Sequence, residues 1–145
     1  IYMEKQIETI KQYFKAETNT DTEGVVSLFT DDATVFNVNR PPVSGKNGLQ
    51  EFCEDFYRRT SARDFTIISI TASPDVIMAE WQAKITFRAG AQIGPYQLAQ
   101  NFTVDLRGVN KFEFAANTNL IRCLRIYHET TTVAQLAEKH ALKIS

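Results

Sequence analysis

The sequence predicts an α+β fold, with helices gathered on one face of an antiparallel sheet. Three observations predict it. Apolar residues recur at three- and four-residue spacing through the first part of the chain, up to about Arg59. From Phe65 to Glu129 they alternate at period two in long runs, broken by turn residues. A last short helical pattern runs from Thr131 to about Lys143, with Val133, Leu136 and Ala137 on one side. No repeat or low-complexity segment interrupts this order, so the expected organisation is one domain over residues 1–145.

Taken in order, Ile7, Ile10, Tyr13 and Phe14 put one apolar stripe on a helix from Tyr2 to about Thr18. Asn19-Thr20-Asp21 ends it, and Asp21 or Thr22 can cap the next helix. That helix carries Val25, Leu28 and Phe29 on one side. It runs into an acidic corner at Asp31 and Asp32, where a turn or capping role is expected. Ala33 to about Val38 is β-branched and aromatic, and reads as a strand. Residues 39–42 turn or extend, since proline disfavours helix in the residue before it. The loop 44–48 feeds a third helix, where Leu49, Phe52, Cys53, Phe56 and Tyr57 keep helical spacing.

Strands follow at Phe65 to Ala72 and Ile77 to Ala89, joined by Ser73-Pro74-Asp75. In the second of these Trp81, Ala83, Ile85 and Phe87 oppose Glu80, Gln82, Lys84 and Thr86. Gly90 to Tyr96 is turn-rich. Leu98 to Phe114 is a long strand in which Gly108 suggests a bulge. Residues 116–119 turn it back into Leu120 to Glu129.

Composition excludes several classes of function. Apolar residues are 43% and charged residues 23%, the ordinary globular range. Net charge is −1 with Lys and Arg scattered, so no footprint for nucleic acid or an anionic membrane exists. Arg40, Arg58, Arg59 and Arg63 are read as solvated surface. No run is long and apolar enough for a membrane span, and the start lacks a signal-peptide layout. Cys53 and Cys123 are too few for a disulfide framework or a metal site, so a reduced, cytoplasmic protein without metal or cofactor is expected.

Several stretches carry a family resemblance: Val25 to Val35, Val43-Ser44-Gly45-Lys46 before Glu51-Phe52, Phe112-Glu113-Phe114, Ile121 to Tyr127, and Thr132 to Leu136. In these the chain resembles the nuclear transport factor 2-like superfamily, within it the SnoaL-like and ketosteroid-isomerase-like proteins. The resemblance implies a cone-shaped, curved antiparallel sheet with three N-terminal helices on its concave face and a short C-terminal helix. It also implies a pocket inside the cone and a homodimer through the outer sheet face. It is specific for fold and not for chemistry, since the family hosts isomerases, cyclases, epoxide hydrolases, dehydratases and inactive proteins.

Carried over by resemblance, the isomerase tyrosine falls on Tyr13, its carboxylate base on Asn37 and its protonated acid on Asn110. Both carboxyl groups are thus carboxamides, which hydrogen-bond but do not take up a proton. The supporting second tyrosine of such isomerases falls on Cys53. One aspartate of the epoxide hydrolases' Asp-Arg-Asp arrangement falls on Ile126, and Asp105 and Arg107 have side chains on the opposite face.

Parity adds another candidate. Asn110, Phe112 and Phe114 share one strand face; Leu124, Ile126 and His128 share one in the next. Paired through the intervening turn, Asn110 and His128 become diagonal neighbours. An imidazole there can serve as a general base. The expected ligand-binding set is Tyr13, Asn37, Asn110, His128, Trp81, Phe112, Phe114, Leu124 and Ile126, with His128 and Tyr13 as candidate catalytic residues.

Three readings stay open. One is a binder of a small apolar or amphipathic, oxygen-bearing molecule, favoured because the carboxyl groups are gone. Another is an isomerase, cyclase or dehydratase with His128 as base. The third is a dimeric interaction module without ligand.

Overall fold

The computed structural model describes residues 2–38 and 40–143, with side chains through residue 139. Helix α1 spans Tyr2–Thr18, α2 Thr22–Val26, α3 Gly45–Arg59 and α4 Thr131–His140. The strands are β1 Phe29–Asn37, β2 Val43–Ser44, β3 Thr60–Ser73, β4 Val76–Phe87, β5 Gln92–Ile93, β6 Tyr96–Leu98, β7 Phe102–Phe114, β8 Ile121–His128 and β9 Ala141–Lys143.

Six strands form one sheet in the order β2-β1-β8-β7-β4-β3, and β5, β6 and β9 form a small second one. The large sheet is mixed and not wholly antiparallel as expected, because β1 runs parallel to β8 while every other pair is antiparallel. Period two is clearest in β4, where Ile77, Ala79, Trp81, Ala83, Ile85 and Phe87 are buried. Register shifts at Thr60/Ala62 and Ile67/Ser69 in β3, and at Glu113/Phe114 between β7 and β8, bend the sheet around its helices.

Helix α1 lies across the inner face because its stripe is apolar and its flanks find polar anchors. The Gln6 side chain donates to Asp75 at 3.0 Å and to the Thr118 carbonyl at 2.9 Å; the Thr9 hydroxyl donates to the Asn119 carbonyl at 3.1 Å. The Tyr13 and Phe14 rings then stand edge-on to Phe112, at centroid separations of 5.3 and 6.1 Å. One end of the sheet's inner face is thereby filled. The other end stays open.

Several expectations change. The terminal helix, expected to about Lys143, gives way after His140 to β9, which pairs with β6. The second helix is only five residues long, capped by the Asp21 carboxylate on the Gly24 N–H at 2.9 Å, and it stops at Val26. Pairing of Phe29 with Ile121, backed by the Ile121 N–H on the Leu28 carbonyl, draws the following residues into strand. Asp31 and Asp32 are therefore exposed strand residues, not corner caps: Asp31 pairs with Lys46 at 3.1 Å and Asp32 accepts from the Thr30 hydroxyl. Arg63 is not solvated surface but 5% exposed, for reasons that bear on the site below.

Gly108 marks no bulge, since it keeps register with Trp81 on one side and His128 on the other. A Cβ there would lie 2.4 Å from the Trp81 ring and 2.5 Å from the Tyr127 carbonyl. Glycine leaves the space that the indole occupies against the strand. Gly108→Ala is expected to cost about 1–3 kcal/mol, read from the denaturant midpoint, through overpacking against a ring and a backbone that cannot both yield.

Candidate functional site

The open end of the cone is a cavity of about 640 Å³. Its wall is apolar, with Val35, Phe52, Phe65, Trp81, Ile85 and Ile126 contributing. Tyr13 and Glu17 from α1, Asn37 from β1, Asn110 from β7 and His128 from β8 bring polar groups to it, and Arg40 with Glu51, Asp55 and Arg59 of α3 adds charged ones.

Sheet register explains the β-strand members. Asn110 pairs with Ile126 and Gly108 with His128, so Asn110 and His128 are the diagonal neighbours that parity suggests. Asn37 pairs with Ile126 from the other side. The indole N–H of Trp81 donates to Asn110 Oδ1 at 2.9 Å. Indole is only a donor, so this bond fixes the amide's orientation and leaves its NH2 group to the cavity. The Asn37 Oδ1 is buried and accepts no hydrogen bond among the described residues. The site thus offers the Asn110 NH2 group as a donor and Asn37 Oδ1 as an acceptor.

His128 Nδ1 lies 3.0 Å from the Glu129 carbonyl. A carbonyl oxygen only accepts, so Nδ1 carries the hydrogen, and the neutral ring keeps its lone pair on Nε2. The free nitrogen is the one suited to take a proton.

Glu17 is the residue that sequence reasoning missed. It is 3% exposed. Tyr57 donates to Oε1 at 2.5 Å and Tyr13 to Oε2 at 3.3 Å. Burial pushes the Glu17 carboxyl above its ordinary range, against the opposing hydrogen bonds from Tyr57 and Tyr13 and the Arg63 charge. Burial, reinforced by Glu17, pushes both phenols up as well, so they remain donors. The hydroxyl next to this group is that of Tyr57, one helical turn beyond Cys53, which carried the expectation. Cys53 is itself fully buried, its thiol pushed up by burial.

A signal for Glu17 did exist. Tyr13 and Glu17 are four residues apart on α1, so the buried stripe of Ile10, Tyr13 and Phe14 continues onto a carboxylate. A charge on the apolar side of an amphipathic helix marks a buried polar site. The chamber is therefore not neutral by composition, as the two carboxamides implied.

The remaining expected ligand contacts divide. Trp81 and Ile126 line the cavity, as do Tyr13, Asn37, Asn110 and His128. Phe112, Phe114 and Leu124 point inward but lie at the end that α1 fills; they are 0%, 2% and 0% exposed and belong to the core. Asp105 and Arg107 are exposed on the outer face, where Arg107 pairs with Glu129 at 2.8 Å. Among the described residues, no group of His, Cys, Asp and Glu is arranged to hold a metal ion, and no helix is long and apolar enough to cross a membrane.

Solved structures share this architecture. A candidate SnoaL-like polyketide cyclase from Shewanella denitrificans superposes with a TM-score of 0.81 at 15% identity, over 93% of this chain and 98% of that one. An NTF2-like protein of unknown function from Burkholderia pseudomallei gives 0.76 at 13% identity, over 92% and 97%. An LEH-like epoxide hydrolase from M. tuberculosis gives 0.67 at 18% identity, over 95% and 92%. At these identities the likeness establishes the cone fold alone. No curated protein matches the sequence. The family model for the SnoaL-like domain matches residues 10–122, most of the sheet and the helices packed on it, and the chain belongs to that family.

Proposed function

We propose that the chain binds one small, largely apolar, oxygen-bearing molecule inside the cone. The carrying observation is the cavity itself: about 640 Å³, apolar-walled, with a few convergent polar groups. That is the size and lining of small-molecule sites. The free Asn110 amide donor, the unpartnered Asn37 acceptor and the Tyr13 phenol match a ligand with hydroxyl or carbonyl oxygen.

Trp81, the sole tryptophan, lines the cavity and reports its occupancy. Decanol is expected to quench or shift Trp81 fluorescence. At a hundredfold excess over its Kd it should add about 2.7 kcal/mol of stability, raising the melting temperature by several degrees. Absence of both effects would remove the binding reading.

A second reading, proton-transfer catalysis of the isomerase, cyclase or dehydratase type, is favoured by Glu17. His128 Nε2 would take a proton from carbon beside a ligand carbonyl, and the electron pair would move to the oxygen. Glu17, whose carboxyl burial pushes above its ordinary range, would supply a proton to that oxygen. The carboxyl group missing at Asn37 and Asn110 is supplied from α1 instead.

Exposed Met78 and Tyr127 on the outer sheet face, at 44% and 53% exposure, support a homodimer there. Tyr127→Glu is expected to shift the chain to monomer in sedimentation, leaving ligand binding unchanged. Free Cys53 and Cys123 support a reducing, cytoplasmic setting.

A further inference from the structure

We propose that the cavity mouth is an oxyanion subsite, where Arg59 and Arg40 hold a carboxylate at the end of an otherwise apolar ligand. This deepens the binding reading above and rests on it. The observation is an imbalance of charge around one carboxylate. Arg40 Nη1 lies 2.9 Å from Asp55 Oδ2, Arg59 Nε 3.1 Å from the same oxygen, and Arg58 Nη1 3.6 Å from Oδ1. Three guanidinium groups thus share a single acid.

Arg59 is the most enclosed of them, its side chain 20% exposed against 45% for Arg40 and 71% for Arg58. It spends only Nε on Asp55, so both of its terminal NH2 groups are without a partner among the described residues. Burial, with Arg40 beside it, pushes the Arg59 guanidinium below its ordinary range. A second anion would relieve both costs.

The surroundings extend the same charge. A neighbouring hollow of about 470 Å³ shares Asp55 and Arg59 with the main cavity and adds Arg58 and Arg88. Glu51 is the other carboxylate on the cavity rim. Arg58 and Arg59 suit the last turn of α3 for helix-dipole reasons alone. Arg40 and Arg88 come from other parts of the chain, and no helix end accounts for them. Val43, Phe52 and Phe56 line the same cavity as Arg40 and Arg59, so the group that carries the anion is apolar.

Decanoate and decanol, titrated against Trp81 fluorescence, separate this subsite from the cavity. In the wild type decanoate is expected to bind about tenfold tighter than decanol, a margin that shrinks as salt is raised. Arg59→Gln and Arg40→Gln should each weaken decanoate by roughly fivefold or more while changing decanol by less than about twofold. Asp55→Asn frees the guanidinium groups and should tighten decanoate, an effect that a purely structural ion-pair cluster does not give.

Equal wild-type affinity for acid and alcohol, equal losses for both in the arginine variants, or weaker decanoate binding in Asp55→Asn would each overturn the subsite. So would inorganic phosphate binding as tightly as decanoate, since that would place a free-anion site there and no apolar tail. Decanol binding persists in all these cases, whereas its absence overturns the cavity reading and the subsite together.

Discussion

Arg63→Met is expected to lower the free energy of unfolding by roughly 3–5 kcal/mol. The side chain is long and apolar enough in methionine to refill most of its volume, so the loss reports polar groups. Arg63 Nε donates to the Glu17 carbonyl at 3.3 Å and Nη1 to the Thr60 carbonyl at 3.1 Å. Its terminal nitrogens also donate to the Thr60 and Thr20 hydroxyls. The guanidinium lies over the Tyr57 ring at 4.6 Å.

These bonds join the C-terminal end of α1 to the start of β3, where Thr20 takes a positive φ of 59° and the helix carbonyls need donors. Removing them strands several acceptors in a site with little water. Arg63→Lys keeps the charge but not the planar fork, and should recover less than half of the loss. Arg40→Met breaks a half-exposed ion pair and should cost below about 1 kcal/mol. Urea midpoints for the three variants check the order; an Arg63→Met loss as small as that of Arg40→Met would mean that the buried fork contributes nothing.

Arg63 also shows where sequence pattern stops. It sits just past a register shift at Thr60/Ala62, and that shift decides which way the following residues face. Local alternation cannot locate such a shift, so a charged residue among polar neighbours reads as surface. The β4 alternation from Ile77 to Phe87 was legible because no irregularity interrupts its pairing with β7. Asn110 and His128 were legible as neighbours because each shares a strand face with apolar residues that turn inward, and that parity survives the register shift at Glu113/Phe114. The parallel pairing of β1 with β8 was not legible, since no local signal links residues so far apart in the chain. Gly108 carried a true signal with the wrong cause: the crowding comes from Trp81, which the strand's own sequence does not contain. At the site, the resemblance pointed to Tyr13, which lines the cavity, and to two positions occupied by carboxamides, Asn37 and Asn110. The buried carboxylate was four residues from Tyr13 on its own helix.

Glu17→Gln is expected to lower proton exchange at carbon by about 10²–10⁴-fold, the usual weight of a positioned acid or base, if the cavity works as an enzyme. Deuterium uptake from solvent beside the carbonyl of β-tetralone, followed by NMR, reads this directly. A carboxamide keeps the shape and accepts the Tyr57 hydrogen bond, but it has no proton to give to oxygen. In the wild type the rate should fall on the alkaline side as Glu17 ionises, and Glu17→Gln should lose that limb. Decanol binding should change by less than about twofold.

The same substitution has a second readout that needs no substrate. Burial raises the Glu17 carboxyl above its ordinary value of 4.5. Below that value both folded and unfolded chains hold the proton. As pH rises past it, the unfolded chain releases its proton first, so unfolding is favoured and stability falls until the folded-state value is passed. The slope contributed by this single group cannot exceed about 1.4 kcal/mol per pH unit. Glu17→Gln removes it, so the variant's stability relative to wild type should rise with pH across that window. Parallel stability curves for the two proteins would mean that Glu17 is already ionised in the fold, and the proton-donor role would go with it.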